Sequence, residues 1–334
     1  MEDRNKPLQV ALTYNLKKSY TSEDEAEYDD ISTIEAIKEA LQTIPCEVKL
    51  VEVSENPIEQ LLSDRPDIVF NIAEGTNGRG REAQIPAILN FLGIPFTGSD
   101  ETTMCLTLDK QVAKILVSSY GIKTPRFKVI SSNNYTIEGL SYPLIVKPNA
   151  EGSSKGILSS SIAKNKDELK SIVDSQFSKD YHELLIEEYI DGREFTVGLL
   201  GNGDSVKVFK PMEIVFKNKK FPIYSYDVKK DFKKYVDYTI LSDIKESVLE
   251  ELTLVAKKIY DIFHCYDMAR IDFRVDSNDE IYFIEINPLP GLAPNYSDFP
   301  MLAELGGTDY TALILEILRT ALIRNGISYE ERGK

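Results

Sequence analysis

The sequence predicts an α/β protein, opening with a parallel sheet flanked by helices and continuing into a region richer in strands. Three observations predict this. Strand-like and helix-like segments alternate over the first hundred residues. Strands broken by "DG" and "GNGD" fill the stretch after residue 184. Residues 270–291, "RIDFRVDSNDEIYFIEINPLPG", read as a β-hairpin. β-α-β alternation is the pattern of a parallel sheet covered by helices. A length of 334 residues allows two or three domains with cores of their own.

In chain order, "LQVALTY" (8–14) reads as a buried strand, followed by the acidic loop "TSEDEAEYDD". An amphipathic helix runs from about Ser32 to Thr43, with Ser32 and Glu35 spaced as a capping box. "CEVKLVEV" and "DIVFNIA" are the second and third strands, and the third ends at the glycine-rich loop "EGTNGRGREAQ". Loops at the carboxyl ends of parallel strands are where such sheets bind ligands. A helix (Ala83 to Leu92) and the turn "GIPFTGSD" close this first domain near residue 100. A helix at Leu108 to Ser119 follows, then the strand "YPLIVKPN" with Lys147 near its end, the loop "AEGSSKG" and a helix over 166–175. "LLIEEYI", "REFTVGLL" and "SVKVFKPMEIVF" are strands, "SVLEELTLVAKKIYDIF" is a periodic helix, and "YTALILEILRTAL" is a terminal one.

Composition narrows the function. A net charge of −15 argues against nucleic acid as a partner. No apolar run approaches the roughly 20 residues that span a bilayer. The start lacks a signal-peptide pattern, and three scattered cysteines without CxxC read as reduced thiols. Together these predict a cytoplasmic protein. Two histidines make a histidine-based zinc site or a Ser-His-Asp triad an unpromising account. One basic island stands out: residues 207–234 hold nine lysines against Glu213, Asp227 and Asp231. It reads either as a solvated face or as a site for an anionic ligand.

The hairpin carries the sharpest signal. A two-residue turn at Asn278-Asp279 places Asp272 opposite Glu285 and Arg270 opposite Asn287. One face then carries Ile271, Phe273, Val275, Tyr282, Ile284 and Ile286. Like charges directly opposite each other destabilise a sheet. Either Arg270 and Arg274 neutralise the carboxylates, or a divalent cation sits between them. Mg²⁺ takes hard oxygen ligands, commonly one or two carboxylates plus phosphate oxygens, and Asn287 adds a neutral oxygen on the same face. The loop after Lys147 offers a cation, N–H groups and hydroxyls to phosphate, although it has no Walker A spacing. In "IEEYIDGREFTV", Glu187, Glu188 and Glu194 are carboxylates that read equally as nucleotide contacts or as an exposed edge.

The blocks "LDK", "VKPNAEGSSKG", "IEEYIDGREFTV", "ARIDFRV" and "FIEINPLPG", in this order, resemble the ATP-grasp ligases and most of all the D-alanine–D-alanine ligase group, over roughly residues 86–325. The resemblance implies an ATP-grasp fold: an N-terminal parallel-sheet domain (1–104), a central ATP-clasping domain (105–185) and a C-terminal ATP-clasping domain (186–328). It implies Mg²⁺, or Mn²⁺ in its place, and ATP that phosphorylates a carboxylate before an amine attacks. Small amino-acid-like molecules would be the substrates, and dimers are common in the family. Carried over, Lys110 and Lys147 would contact phosphates, Glu187 with Glu188 and Ile190 would border adenine, and Glu194 would hold the ribose. Asp272, Glu285 and Asn287 would ligate Mg²⁺, Arg270 would stabilise the transferring phosphoryl group, Ser153 would sit in the substrate loop, and Gly291 would approach the second substrate. The lysine-rich stretch falls where the family has a lid.

The amino-acid pocket departs from the pattern. The acid after the first strand is Glu27, Asp29 or Asp30, with Asp30 the best match. Glu74 stands where the family has histidine, and Lys230 where it has a lid tyrosine. Tyr296 and Ser297 are approximate counterparts of the residues that bind the substrate carboxylate. "FNIAEG" with "GRGREAQ" also resembles ATP-grasp relatives outside cell-wall synthesis. The expected activity is an ATP-dependent carboxylate–amine ligase. The alternatives are a genuine D-alanine–D-alanine ligase and a catalytically silent nucleotide-binding protein.

Overall fold

Three sheets organise the chain in the computed structural model, which describes residues 6–19, 25–152, 155–156, 161–179, 181–217, 223, 232–241 and 243–328. The first sheet holds β1 (Leu8–Tyr14), β2 (Cys46–Glu52) and β3 (Ile68–Asn71), all parallel in the order β2-β1-β3. Helices α1 (Ile31–Leu41), α2 (Pro57–Ser63) and α3 (Gln84–Leu92) accompany it. The expected capping box is not formed. Asp30, not Ser32, is the N-cap residue of α1, and its side chain makes no cap hydrogen bond.

Two further helices, α4 (Glu101–Leu108) and α5 (Lys110–Ser119), lead to the central sheet. Its strands are β4 (Phe127–Ile130), β5 (Leu144–Pro148), β6 (Ile162–Ala163) and β7 (Leu184–Glu188), in the order β4-β7-β5-β6. Helix α6 (Lys166–Phe177) packs on it. The third sheet contains β8 (Gly192–Leu200), β9 (Lys207–Val208), β10 (Met212–Phe216), β11 (Val236–Thr239), β12 (Met268–Asp276) and β13 (Ile281–Asn287). A short turn of helix, α7 (Phe232–Tyr235), precedes β11, and α8 (Glu246–Ile262) covers the sheet. Helices α9 (Asp298–Leu305) and α10 (Tyr310–Arg324) end the described chain.

The cores ignore sequence order. Leu313, Ile314, Ile317 and Leu318 of α10 share one core with Leu8, Val10 and Leu12 of β1 and with Ile34 and Ile37 of α1. Ala113 and Val117 of α5 pack with the third sheet, although α5 leads into the central one. Apolar stripes such as these have no stability until another element covers them.

The hairpin keeps the expected pairing where it matters: Asp272 faces Glu285 and Arg270 faces Asn287. The turn differs. Asp276 N donates to Glu280 O at 3.0 Å, so three residues form the loop, with Asp279 at φ 64°. A bulge between Asp272 and Phe273 restores the register, pairing Phe273 with Phe283. The turn-proximal half of β13 therefore faces the other way. Ile281 and Phe283 are buried, whereas Tyr282 and Ile284 are only half-buried. An extra loop residue would invert the whole strand, and the bulge confines that inversion to the turn side of Glu285.

Candidate active site

The facing carboxylates sit in a network set by strand register. Beside β12 lies β8, which puts Thr196 next to Asp272 and Glu194 next to Arg274. Thr196 Oγ1 donates to Asp272 at 2.6 Å. Arg270 grips both oxygens of Asp272 at 2.8 and 3.1 Å and reaches Asp298 at 3.1 Å. Arg274 donates to Glu194 at 2.9 Å. Burial pushes the Asp272 carboxyl up, Arg270 pulls it back, and the Glu285 charge adds to the rise. Burial likewise lifts Glu194 to about 7 against Arg274, with help from Asp272 and Glu285. Crowded carboxylates of this kind are what a cation relieves.

Whether Mg²⁺ suits these residues can be judged from the donor set. Among the described residues, no three His, Cys, Asp or Glu side chains cluster as a metal cage. Two facing carboxylates and an asparagine, with phosphate oxygens to complete the sphere, are instead the usual Mg²⁺ arrangement. Among the described residues, the buried Asn287 Nδ2 has no hydrogen-bond partner, so the fold does not use that donor. The residues fit the ion.

Cations converge on the same place. Asn149, at the end of β5, accepts from Lys110 N through its backbone carbonyl (3.0 Å) and from Gln111 N through its side chain (3.0 Å), tying β5 to the start of α5. This sets Lys110 and Lys147 together, both buried. Lys110 Nζ lies 3.7 Å from Glu285 Oε2. A lysine at a helix N-terminus opposes the helix dipole, a local cost that marks functional sites. Glu187 holds Lys147 at 2.6 Å and Lys114 at 2.8 Å. Burial works against the charge on Glu187, yet the two lysines hold its carboxyl below the ordinary range. Burial alone would lower Lys147, but Glu187 and Glu285 outweigh it and raise that ammonium. Lys114 ends lowered to about 8, with burial the larger influence.

Glu188 points elsewhere, gripped by Arg126 at 2.6 and 2.9 Å and by Ser141 N at 2.7 Å. Ile190 lies in the connector from β7 of the central sheet to β8 of the third. Ser153 and Lys230 lie outside the described residues, as does much of the lysine-rich stretch.

A cavity of about 520 Å³ opens between the first and third sheets, within the usual size of a small-molecule site. Asp30, Glu74, Gly291, Tyr296 and Ser297 all line it, together with Arg270 and Asn287. Gly291 is required by close approach: a Cβ there would stand 2.8 Å from Ser297 Oγ. Ser297 Oγ in turn accepts from Ala293 N at 3.1 Å, shaping the 291–297 loop.

Several participants have no clear mark in the sequence. Asp298 is the second anchor of Arg270 and Lys114 the second cation on Glu187, while Arg274, expected beside the hairpin carboxylates, pairs instead with Glu194. Arg81 grips Glu27 through three bonds of 2.6–2.9 Å and Ala150 O at 3.0 Å, while Glu27 accepts from Gly152 N at 2.7 Å. Of the three acids after β1, Glu27 is thus committed to clasping the loop after β5 at Ala150 and Gly152. Glu82 lines the cavity beside Glu74. Strand alternation could have placed Arg274 and Glu194, since both lie on predicted strands. The Arg81–Glu27 clasp joins two loops 54 residues apart, where no periodicity reports it.

The family model "D-ala D-ala ligase C-terminus" matches residues 116–319. The chain is 35% identical over 286 residues to a D-alanine–D-alanine ligase of Caldicellulosiruptor bescii, covering 80% of this chain and 74% of that protein. It is 33% identical to one of Aquifex aeolicus, covering 86% and 94%. In structure it resembles a Bacillus anthracis D-alanine–D-alanine ligase complexed with ATP, with a TM-score of 0.74, 22% identity and coverage of 96% and 99%. A D-Ala:D-Ser ligase of Enterococcus faecalis gives a TM-score of 0.74 at 21% identity, covering 95% and 100%. The fold is therefore ATP-grasp, the cofactors of the family are ATP and Mg²⁺, and the chain belongs to the D-alanine–D-alanine ligase family of ATP-dependent, C–N-bond-forming enzymes.

Proposed function

We propose that the protein joins the carboxylate of one amino-acid-like molecule to the amine of another through an acyl phosphate, and that its substrates differ from a pair of D-alanines. The observation that carries this reading is one cavity bordered by Arg270 and Asn287 on one side and by Asp30, Glu74 and Glu82 on the other. The first group serves phosphoryl transfer; the second is far more acidic than one alanine ammonium requires.

The chemistry follows from those positions. A carboxylate oxygen of the first substrate attacks the γ-phosphorus and ADP leaves. Arg270, fixed by Asp272 and Asp298, presents its guanidinium to the transferring group. Lys110 and Lys147 hold the phosphates, with Glu187 positioning Lys147, while Glu194 takes the ribose and the 189–191 connector borders adenine. Mg²⁺ held by Asp272, Glu285 and Asn287 would neutralise phosphate charge. The amine of the second substrate then attacks the acyl carbon, phosphate departs with its bonding pair, and the nitrogen loses a proton to give the amide. Gly291 and Ser297 shape the wall against which that second substrate lies.

A second reading, D-alanyl-D-alanine synthesis itself, is favoured by the names of the relatives at 33–35% identity. The deciding experiment supplies Mg²⁺ATP with D- and L-amino acids, singly and in pairs, and follows ADP release and product mass. We expect D-alanine alone to be a poor substrate, because a site with unpaired polar groups rejects analogues that leave them so by up to about 10⁴-fold. Robust D-alanyl-D-alanine formation from D-alanine alone would overturn the proposal and establish the second reading.

A further inference from the structure

The end of the cavity formed by the first domain holds more negative charge than the proposed reaction uses. Gly75, at φ +77°, turns the loop after β3 so tightly that a Cβ there would collide with the Arg81 carbonyl. That turn brings Glu74 and Glu82, eight residues apart, to the same cavity. Glu82 is only 9% exposed. Among the described residues, neither its carboxylate nor that of Glu74 has a hydrogen bond or ion pair. Arg81, the adjacent cation, pairs with Glu27; it and Lys110 offset the two glutamates only in part and from a distance, and Lys17 on the cavity wall acts on Asp29. A carboxylate this enclosed is disfavoured in its charged form until a cation pairs with it.

A second, independent observation points the same way. Asp30 occupies an N-cap position, where an aspartate ordinarily accepts from the first helical turn and stabilises the helix. It makes no such bond. Its Oδ1 is buried without a partner, and it lines the cavity. The side chain is withheld from the helix that would use it.

Three carboxylates without partners therefore face one cavity from two loops: Asp30 from the loop after β1, Glu74 and Glu82 from the loop after β3. One α-ammonium can satisfy one of them. We infer that Glu74 and Glu82 form a subsite for a second cationic nitrogen, so that the first substrate is a basic amino acid whose side chain carries an amine or guanidine. The inference rests on the ligase reading for the identity of that substrate as acyl donor. Asp30 takes the α-ammonium, Arg270 and the phosphate machinery take the carboxylate, and the side-chain cation extends toward Glu74 and Glu82. Burial raises both carboxyls, each helped by the other's charge or by that of Glu27, a repulsion that an arriving cation removes.

The test measures binding to the full-length enzyme with Mg²⁺ and a non-hydrolysable ATP analogue. The probes are 2,3-diaminopropionate, ornithine, lysine and arginine in both enantiomers, each against an uncharged analogue of equal length, such as norleucine for lysine. At least one basic member should bind roughly 10- to 100-fold more tightly than its analogue, the range of a charge-assisted hydrogen bond. Glu82→Gln or Glu74→Gln should bring that ratio to within about threefold while the ATP analogue binds as before. Absence of any preference in the wild type, or a preference that survives both substitutions, overturns the inference. If no amino acid supports ADP release yet the preference holds, the ligase reading falls and the cation subsite stands. If turnover is found with neutral donors alone and no preference appears, the ligase reading stands and the subsite falls.

Discussion

The two regions proposed here as the nucleotide end and the amino-acid end of the site treat buried charge in opposite ways. At the nucleotide end acids and cations meet within the protein: Glu187 with Lys114 and Lys147, Glu194 with Arg274, and Asp272 with Arg270. At the other end Asp30, Glu74 and Glu82 form no ion pair among the described residues, and Arg81 and Lys110 act on the two glutamates only from a distance. ATP is the same molecule for every family member, so its site can be completed in advance, and preorganised charge is what phosphoryl transfer uses. On the proposed reading the second region is completed by the charges of the amino-acid substrate itself.

The largest expected effect tests the completed end. Asp272→Asn or Glu285→Gln should leave the fold intact and reduce ADP release at least about 100-fold, the scale of losing one preorganised electrostatic contact. A steady-state assay beside a melting curve checks this, and near wild-type turnover would return the facing carboxylates to a structural role. Next comes a paired acid at the other end, Glu27. Arg81→Ala leaves Glu27 buried without its cation and should cost about 3 kcal/mol of stability, read by urea unfolding. A loss under about 1 kcal/mol would mean that the clasp is solvated and that the two ends differ less than drawn.

The smallest effect is on pH. Burial lifts Asp29 and Glu194 to about 7 and raises Glu74 and Glu82 as well. Unfolded, these groups titrate near 4. Between those values the folded protein holds protons that the unfolded chain has released, so stability is greatest at the acid side and falls as pH rises. The melting temperature of the nucleotide-free protein should therefore decline from pH 5 to 7.5. Glu82→Gln should flatten that decline, and a flat wild-type profile would show that the carboxylates are already compensated.

Legibility in the sequence followed the same division. Strands such as Leu8–Tyr14 and the long helix 246–262 announce themselves by periodicity, because one face of each must be apolar. The pairing of Asp272 with Glu285 was legible because the hairpin is local. Its turn was misjudged by one residue, and the bulge that compensates left no mark in composition. Ser32 and Glu35 have the spacing of a capping box, yet Asp30 takes the N-cap position, because cap geometry depends on where the preceding loop enters. Helices α2, α4 and α9 are short and lack a long apolar stripe, so they escaped notice.

By itself the sequence determined the long strands and helices, the order of the blocks that resemble the ligase family, and the pairing of Asp272 with Glu285 and of Arg270 with Asn287. Only the tertiary structure decided that α10 completes the core of the first sheet, that Asn149 ties Lys110 to Lys147, that Arg81 spends itself on Glu27, and that Glu82 is left facing the cavity. The physical reason is range. Periodicity and capping report interactions within a few residues, whereas the charge balance of a buried site depends on which distant side chains share its small volume.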